Sequence, residues 1–317
     1  MIQVSNLSKS YAAHKAVSDL SFTVEDGRIY GLLGPNGAGK TTTMNMLTGY
    51  IAPTSGKVVI DGFDIFEDAE EAKKRVGYLP EQPPLYPNMT VKEYLTFVAE
   101  LKFVKAADVK DQVGRAIEKT GLGDAAGRLI RNLSKGYKQR VGIAQALVGD
   151  PKIIILDEPT VGLDPKQIIE IRELIVSLKE EHTVILSSHI LQEVAAVCDH
   201  IMILSHGKLV AQDTPENLSK RMKGSGSVKV TARGEFENIA EAVKEIGKAV
   251  LRDPEEEGYT TVEILTDSSA LARENIFLAL SGADIPAISI IQDTASLEEI
   301  FLELTGDEKE DNDESSL

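Results

Sequence analysis

The first thirty residues alternate apolar and polar side chains with a period of two. Ile2-Gln3-Val4-Ser5, Ala16 to Val24 and Arg28 to Leu33 therefore read as strands, with Asp26-Gly27 as a hairpin-type turn between the last two. Lys57-Val58-Val59-Ile60, followed by Asp61-Gly62, predicts another strand and turn. Pro80-Glu81-Gln82-Pro83-Pro84 breaks the pattern. From Val91 to about Thr120 the spacing becomes helical, with Tyr94, Leu95, Val98 and Leu101 on one stripe. Ile153 to Leu156 and Val184 to Leu186 are short runs that are apolar throughout. They predict strands covered on both faces, as in a parallel sheet packed between helices. His200 to Asp213 reads as a hairpin turning at Ser205-His206-Gly207.

Lys223-Gly224-Ser225-Gly226-Ser227 has the composition of a linker, and after it the pattern restarts. Val228 to Ala232 is strand-like and Ile239 to Ile246 helical. Ala249 to Arg252 and Tyr259 to Leu265 are strand-like around an acidic turn, Asp253 to Gly258. Leu271 to Leu280 is helical and Ile288 to Ile291 strand-like. That order, β-α-β-β-α-β, is the split βαβ of ferredoxin-like domains. A last helix is expected over Ser296 to Leu304, opened by the capping box of Ser296 and Glu299. Gly306 to Leu317 is an acidic stretch expected to be disordered.

Composition narrows the partners. The chain has 317 residues and a net charge of −16. The excess is concentrated late, since residues 221–317 hold 9 basic and 22 acidic side chains. Duplex nucleic acid and an anionic membrane surface are thus poor targets for that part, and no nucleic-acid partner is expected. The single cysteine, Cys198, excludes an internal disulfide and reads as a small buried hydrophobe. No apolar run approaches the roughly twenty residues that span a bilayer. The first residues lack a charged segment followed by an apolar one. A cytoplasmic location is expected, with any membrane association made through a partner.

The chemistry begins at Gly34-Pro35-Asn36-Gly37-Ala38-Gly39-Lys40-Thr41, which matches G-x-x-x-x-G-K-[ST] in full. Glycines let successive backbone N–H groups turn around an anion. Lys40 can place a charge on the β- and γ-phosphates, and the Thr41 hydroxyl can hold Mg²⁺. A strand-like run precedes the loop and a helical run follows it, so a helix N-terminus would face the phosphates. Asp157 and Glu158 end the apolar run at Ile153 to Leu156. Asp157 suits the Mg²⁺-holding acid of such loops, and Glu158 could polarise an attacking water. No Asn-Lys-x-Asp occurs, which favours adenine over guanine.

Leu133-Ser134-Lys135-Gly136-Tyr137-Lys138-Gln139-Arg140 lies shortly before that acidic strand. Alone, Ser134 could be a plain helix N-cap. In this order the stretch resembles the signature loop of ATP-binding cassette proteins, and the region to about residue 220 resembles an ABC transporter ATP-binding subunit. The resemblance implies an α/β fold: a P-loop ABC ATPase core with an N-terminal antiparallel β subdomain and a helical subdomain at about 83–145. Residues 221–227 would be a linker to a small C-terminal α+β domain at 228–305, with a tail at 306–317.

The resemblance also implies roles. Tyr11 would stack on adenine. Gly34, Pro35, Asn36, Gly37, Ala38, Gly39, Lys40, Thr41 and Thr42 would wrap the phosphates of ATP. Gln82 would sense Mg²⁺ and the attacking water, completing a metal set with Thr41 and Asp157. Glu158 would be the general base, and His189 would contact the γ-phosphate. Ser134 and Gly136 would reach the γ-phosphate of a second copy, or of a homologous subunit, and Asp164 would lie in the loop crossing between the two. Taken singly, Tyr11 is equally a surface aromatic, Gln82 a loop amide and His189 a helix-start histidine. The signature departs from the usual Leu-Ser-Gly-Gly-Gln at Lys135 and Tyr137. This version, and Ser296 to Phe301 near the end, resemble the exporter branch with separate type-2 membrane permeases, whose partner would dock on the helical segment that starts at Pro84-Leu85-Tyr86-Pro87. Two other readings stay open: a soluble ABC ATPase of the translation or DNA-repair kind, and a regulatory module whose residues 227–305 sense a ligand.

Overall fold

The computed structural model describes residues 1–221, 226–253, 256, 258–266, 272–293, 301 and 305. They form two compact units, one within Met1–Pro215 and one within Glu216–Glu303.

The first unit opens with a long antiparallel hairpin, β1 (Ile2–Tyr11) and β2 (His14–Val24). β1 is longer than its clean alternation. Register shifts after Val4 and Leu7, with Asn6 at φ 50, scramble the period-two pattern in its second half. Next come β3 (Ile29–Leu33) and helix α1 (Lys40–Leu47). β4 (Ser55–Ile60), β5 (Phe63–Asp64), the short α2 (Ala69–Lys73) and β6 (Val76–Leu79) follow.

Helix α3 (Val91–Leu101) starts at a complete capping box between Thr90 and Glu93. The helical run expected to continue to Thr120 is in fact two helices, since α3 stops and α4 (Ala106–Lys119) begins afresh. The break lies at Phe103, which adopts φ 56, and beside it Lys102 turns inward. Lys102 Nζ donates to the carbonyls of Gln145, Ala146 and Val148 at 3.0, 3.1 and 2.6 Å. These carbonyls close the end of α5 (Lys135–Leu147), so a lysine from one helix supplies the donors another lacks. Neither glycine nor proline marks this break in the sequence.

β7 (Ile153–Leu156), α6 (Pro165–Leu178), β8 (Thr183–Ser188), α7 (Leu191–Val197), β9 (His200–Ser205) and β10 (Lys208–Asp213) complete the series. The apolar runs in β7 and β8 are buried throughout, as expected of strands covered on both faces. The β9–β10 hairpin turns through His206 and Gly207, at φ 46 and 74. One sheet has the order β2-β1-β4-β5, and the other β10-β9-β3-β8-β7-β6. In the larger sheet every pair is parallel except β9 with β10. One apolar core, including Ile2, Leu20, Leu32, Met44, Ile155 and Leu204, joins the two sheets.

Helix α7 lies unusually close to β3. A Cβ on Gly31 would stand 2.1 Å from Val194 Cγ1 and 2.9 Å from Cys198 Sγ, so only glycine fits there. Cys198 is buried in this contact, and burial pushes its thiol pKa up, away from reactivity.

The second unit opens with α8 (Pro215–Arg221), which starts at the boundary, and runs on through β11 (Gly226–Ala232), α9 (Phe236–Val243), β12 (Lys248–Arg252), β13 (Thr260–Thr266), α10 (Ala272–Gly282) and β14 (Ala287–Asp293). Its antiparallel sheet has the order β12-β13-β11-β14, so β13 is inserted between β11 and β12. That is the split βαβ arrangement. Val228, Val230, Val262 and Ile264 pack under Ile239, Val243, Ile276 and Leu280 of the two helices. The expected linker at 221–227 is shorter than read, since Arg221 ends α8 and Gly226 and Ser227 already pair in β11; its middle, most of the final helix at Ser296 to Leu304 and the tail after Gly306 lie outside the described residues. Among the described residues no helix is long and apolar enough to cross a membrane.

Candidate active site

Parallel pairing brings the site together. β3, β8 and β7 are neighbours, with Leu33 paired to Ser188 and Leu156 to Leu186. The segments that leave their C-terminal ends therefore emerge side by side. One carries Gly34 to Thr42, one carries Asp157 and Glu158, and one carries His189.

The glycine loop is fixed by its own backbone. Ala38 N donates to Pro35 O at 3.1 Å, and Gly207 N donates to Ala38 O at 3.1 Å. Gly39 caps α1 in the left-handed region at φ 98, where a Cβ would also stand 2.6 Å from Ala16 O. Lys40 is the first residue of α1 and is buried. Its ammonium donates to Gly34 O at 2.8 Å and Pro35 O at 3.3 Å, and lies 3.6 Å from Glu158 Oε1. The first turn of α1 holds no acid, so the partial positive charge of the helix end is uncompensated by its own side chains.

Asp157 is fully buried. Ser187 Oγ donates to its Oδ1 at 2.5 Å, while its Oδ2 has no hydrogen-bond partner. Burial raises the carboxyl pKa, the hydroxyls of Ser187 and Thr41 pull it back, and the charges of Glu158 and Glu81 raise it further. The same Ser187 Oγ accepts from Glu158 N at 2.9 Å. Glu158 stands at φ 48, a left-handed turn at the strand end that is rare outside glycine. There its Oε2 meets His189 Nδ1 at 3.0 Å.

An orphaned, buried carboxylate oxygen beside a threonine hydroxyl is a hard-oxygen donor set, and it fits Mg²⁺. Gln82 lines a cavity of about 560 Å³ with Thr41, Tyr78 and Asp157.

A cleft of about 490 Å³ is lined by Tyr11, Asn36, Lys40, Thr41, Glu158 and His189. Sequence reasoning missed His14, Ala16 and Glu81, which also line it, as does Val161 of the expected crossing loop. His14 pairs with Tyr11 at the tip of the first hairpin, so following that hairpin to its end would have exposed it. Ser187 was visible beside His189, but its bond to Asp157 depends on β7 and β8 being neighbours.

Three expected site residues stand apart from this cleft. Ser134 caps α5, accepting from Tyr137 N at 3.4 Å. Asp164 caps α6, accepting from Gln167 N at 2.9 Å. Gly136 lies between the two, where a Cβ would stand 2.8 Å from Gln167 Cδ. Lys135 lays its ammonium against Gly162, so the starts of α5 and α6 form one patch.

A glycine loop closing on a helix N-terminus, with a buried acid at the end of a nearby parallel strand, defines a P-loop nucleoside triphosphatase. Residues 17–161 match the family described as ABC transporter. The linearmycin resistance ATP-binding protein LnrL of Bacillus subtilis (strain 168) is 32% identical over 311 residues, covering 96% of this chain and 98% of that protein. The bacitracin transport ATP-binding protein BcrA of Bacillus licheniformis is 36% identical over 308 residues, covering 96% and 97%. A solved dimeric ATP-binding cassette in a post-hydrolysis state, bound to ADP and Pi, aligns with a TM-score of 0.61 at 25% identity, covering 68% of this chain and 98% of that one. The chain belongs to the ATP-binding subunits of ABC transporters. It binds and hydrolyses ATP.

Proposed function

We propose that this subunit works as a head-to-tail pair at the inner face of the cell membrane, where ATP hydrolysis drives a separate permease that exports its cargo. The observation that carries the reading is the contact set around Glu158, with Lys40 on one oxygen and His189 on the other. A nucleotide in the cleft would stack its adenine on Tyr11 and lay its phosphates along Gly34 to Thr42. The γ-phosphate would compete with Glu158 for the ammonium of Lys40, freeing the carboxylate to take a proton from water. His189 would hold Glu158 in place through Nδ1 and reach the γ-phosphate with the rest of its ring. Thr41 and Asp157, with Gln82 beside them, would hold Mg²⁺, which supplies charge neutralisation on the phosphates when bound.

The second wall of the site would come from Ser134 and Gly136 of another copy, or of a homologous subunit, with Asp164 in the crossing loop. Their separation from the cleft of their own chain supports this, as does the dimeric state of the solved cassette. The permease reading rests on exposed large apolar side chains along α1 to α3: Tyr50, Tyr86, Leu101 and Phe103. Export rests on the relatives, whose names speak of bacitracin transport and linearmycin resistance.

The test is size-exclusion chromatography of Glu158→Gln with Mg²⁺ and ATP, alone and combined with Ser134→Ala. A stable dimer for the single variant and monomer for the double is expected. A single variant that stays monomeric and still hydrolyses ATP would refute the shared-site reading.

A further inference from the structure

Glu193, on α7, is a buried carboxylate that the proposed chemistry does not use. Burying a carboxylate is costly unless its oxygens are satisfied, so its partners show what it is for. The Thr160 hydroxyl donates to Oε2, and Ser188 Oγ lies 3.4 Å from the same oxygen. Arg172 of α6 brings a guanidinium nitrogen to 3.9 Å from Oε1. Thr160 is two residues beyond Glu158, and Ser188 is the residue before His189. Both are buried, so neither hydroxyl has ready water as an alternative partner.

One carboxylate thus holds both chain segments that carry the Glu158–His189 contact. Ser187 fixes the inner side of this junction through Asp157 and Glu158 N, and Glu193 fixes the outer side. Ser188 is held twice, since its Oγ also accepts from Ile190 N at 3.0 Å. The platform is rigid because α7 is seated on β3 by Val194 and Cys198 over Gly31. Those neighbours already provide the apolar packing of α7, so the acid serves another purpose.

We propose that Glu193 is a positioning residue for ATP hydrolysis: it ties the segment after Glu158 to the segment carrying His189, and so sets the separation of these two side chains. The inference rests on the roles proposed for Glu158 and His189.

Steady-state hydrolysis by the full chain tests it, in parallel with nucleotide binding and thermal melting. Glu193→Ala is expected to lower kcat by about 10- to 100-fold with KM for ATP nearly unchanged, as a small misplacement of a catalytic group would do. Glu193→Gln keeps an acceptor for Thr160 and is expected to recover most of that loss. Thr160→Val removes the hydroxyl at constant shape and is expected to lower kcat in the same way. The double variant is expected to be no worse than Glu193→Ala alone. Should Glu193→Ala fail to fold, Thr160→Val and Glu193→Gln carry the test. Turnover within twofold of wild type for Glu193→Ala or for Thr160→Val, in a background where Glu158→Gln is inactive, overturns the inference alone. Turnover retained by Glu158→Gln itself overturns the catalytic reading beneath it. Equal losses in Glu193→Gln and Glu193→Ala that track the melting temperature would reduce Glu193 to a structural residue and also overturn the proposal.

Discussion

His189 meets Glu158 across the ends of two neighbouring parallel strands, with Nδ1 3.0 Å from Oε2. When the ring donates through Nδ1, its Nε2 stays available to the cleft. The two side chains then act as a unit. Glu158→Gln is expected to lower turnover by about 10²-fold or more, the scale of general-base loss. His189→Ala is expected to lower it by a comparable factor, and the double variant to match the worse single one. Phosphate-release assays on the three variants check this, and multiplying losses would mean two independent roles.

Among the described residues, Lys40 is the one cation that touches both the glycine loop and Glu158. Lys40→Ala is expected to weaken ATP binding by about 10- to 100-fold, the loss of charge-assisted hydrogen bonds. Isothermal titration with ATP measures it. Unchanged affinity would place the phosphates elsewhere.

Asp157 carries a raised pKa, caused first by burial. Between the unfolded and folded pKa values the native state binds more protons than the unfolded one, so stability falls as pH rises through that window. Once ionised, the buried carboxylate therefore costs stability that a bound cation would offset. Asp157→Asn is expected to melt higher than wild type without divalent metal, and to lose the rise in melting temperature that Mg²⁺ with nucleotide produces. Differential scanning fluorimetry with and without Mg²⁺ reads both effects.

Burial pushes the pKa of Lys102 down to about 8. Its unfolded value is 10.5, so between these limits the unfolded chain holds the extra proton. The Lys102 contribution to stability should therefore rise from about pH 8 to about 10.5 and be flat below. Denaturant unfolding of wild type and Lys102→Met across that range isolates it. The difference between the two should change with pH only in that window, whatever constant offset the lost carbonyl bonds add.

How far the chain could be read before its structure depended on the range of the forces involved. Gly34 to Thr41 and the strand leading to Asp157 were legible because a local rule, one residue type at one spacing, makes each. The order of elements in the second unit was legible for the same reason. The break at Phe103 was not, because Lys102 caps α5 from more than forty residues away, and no propensity records that. The bonds of Ser187, Thr160 and Glu193 were not legible because they depend on which strands are adjacent. Tyr11 was found, yet His14 was missed, because bulges hid the length of the first hairpin.

The larger sheet has a consequence for how the molecule is made. β8 lies between β3 and β7, although it follows β7 in the chain and is far removed from β3. A nascent chain synthesised to residue 180 already contains Lys40, Asp157 and Glu158, with no strand to stand between their two edges. Parallel pairs this distant in sequence close late, after the entropy of long loops has been overcome. Hydrolysis should thus be among the last properties to appear on refolding, and its onset a clock for the insertion of a single central strand.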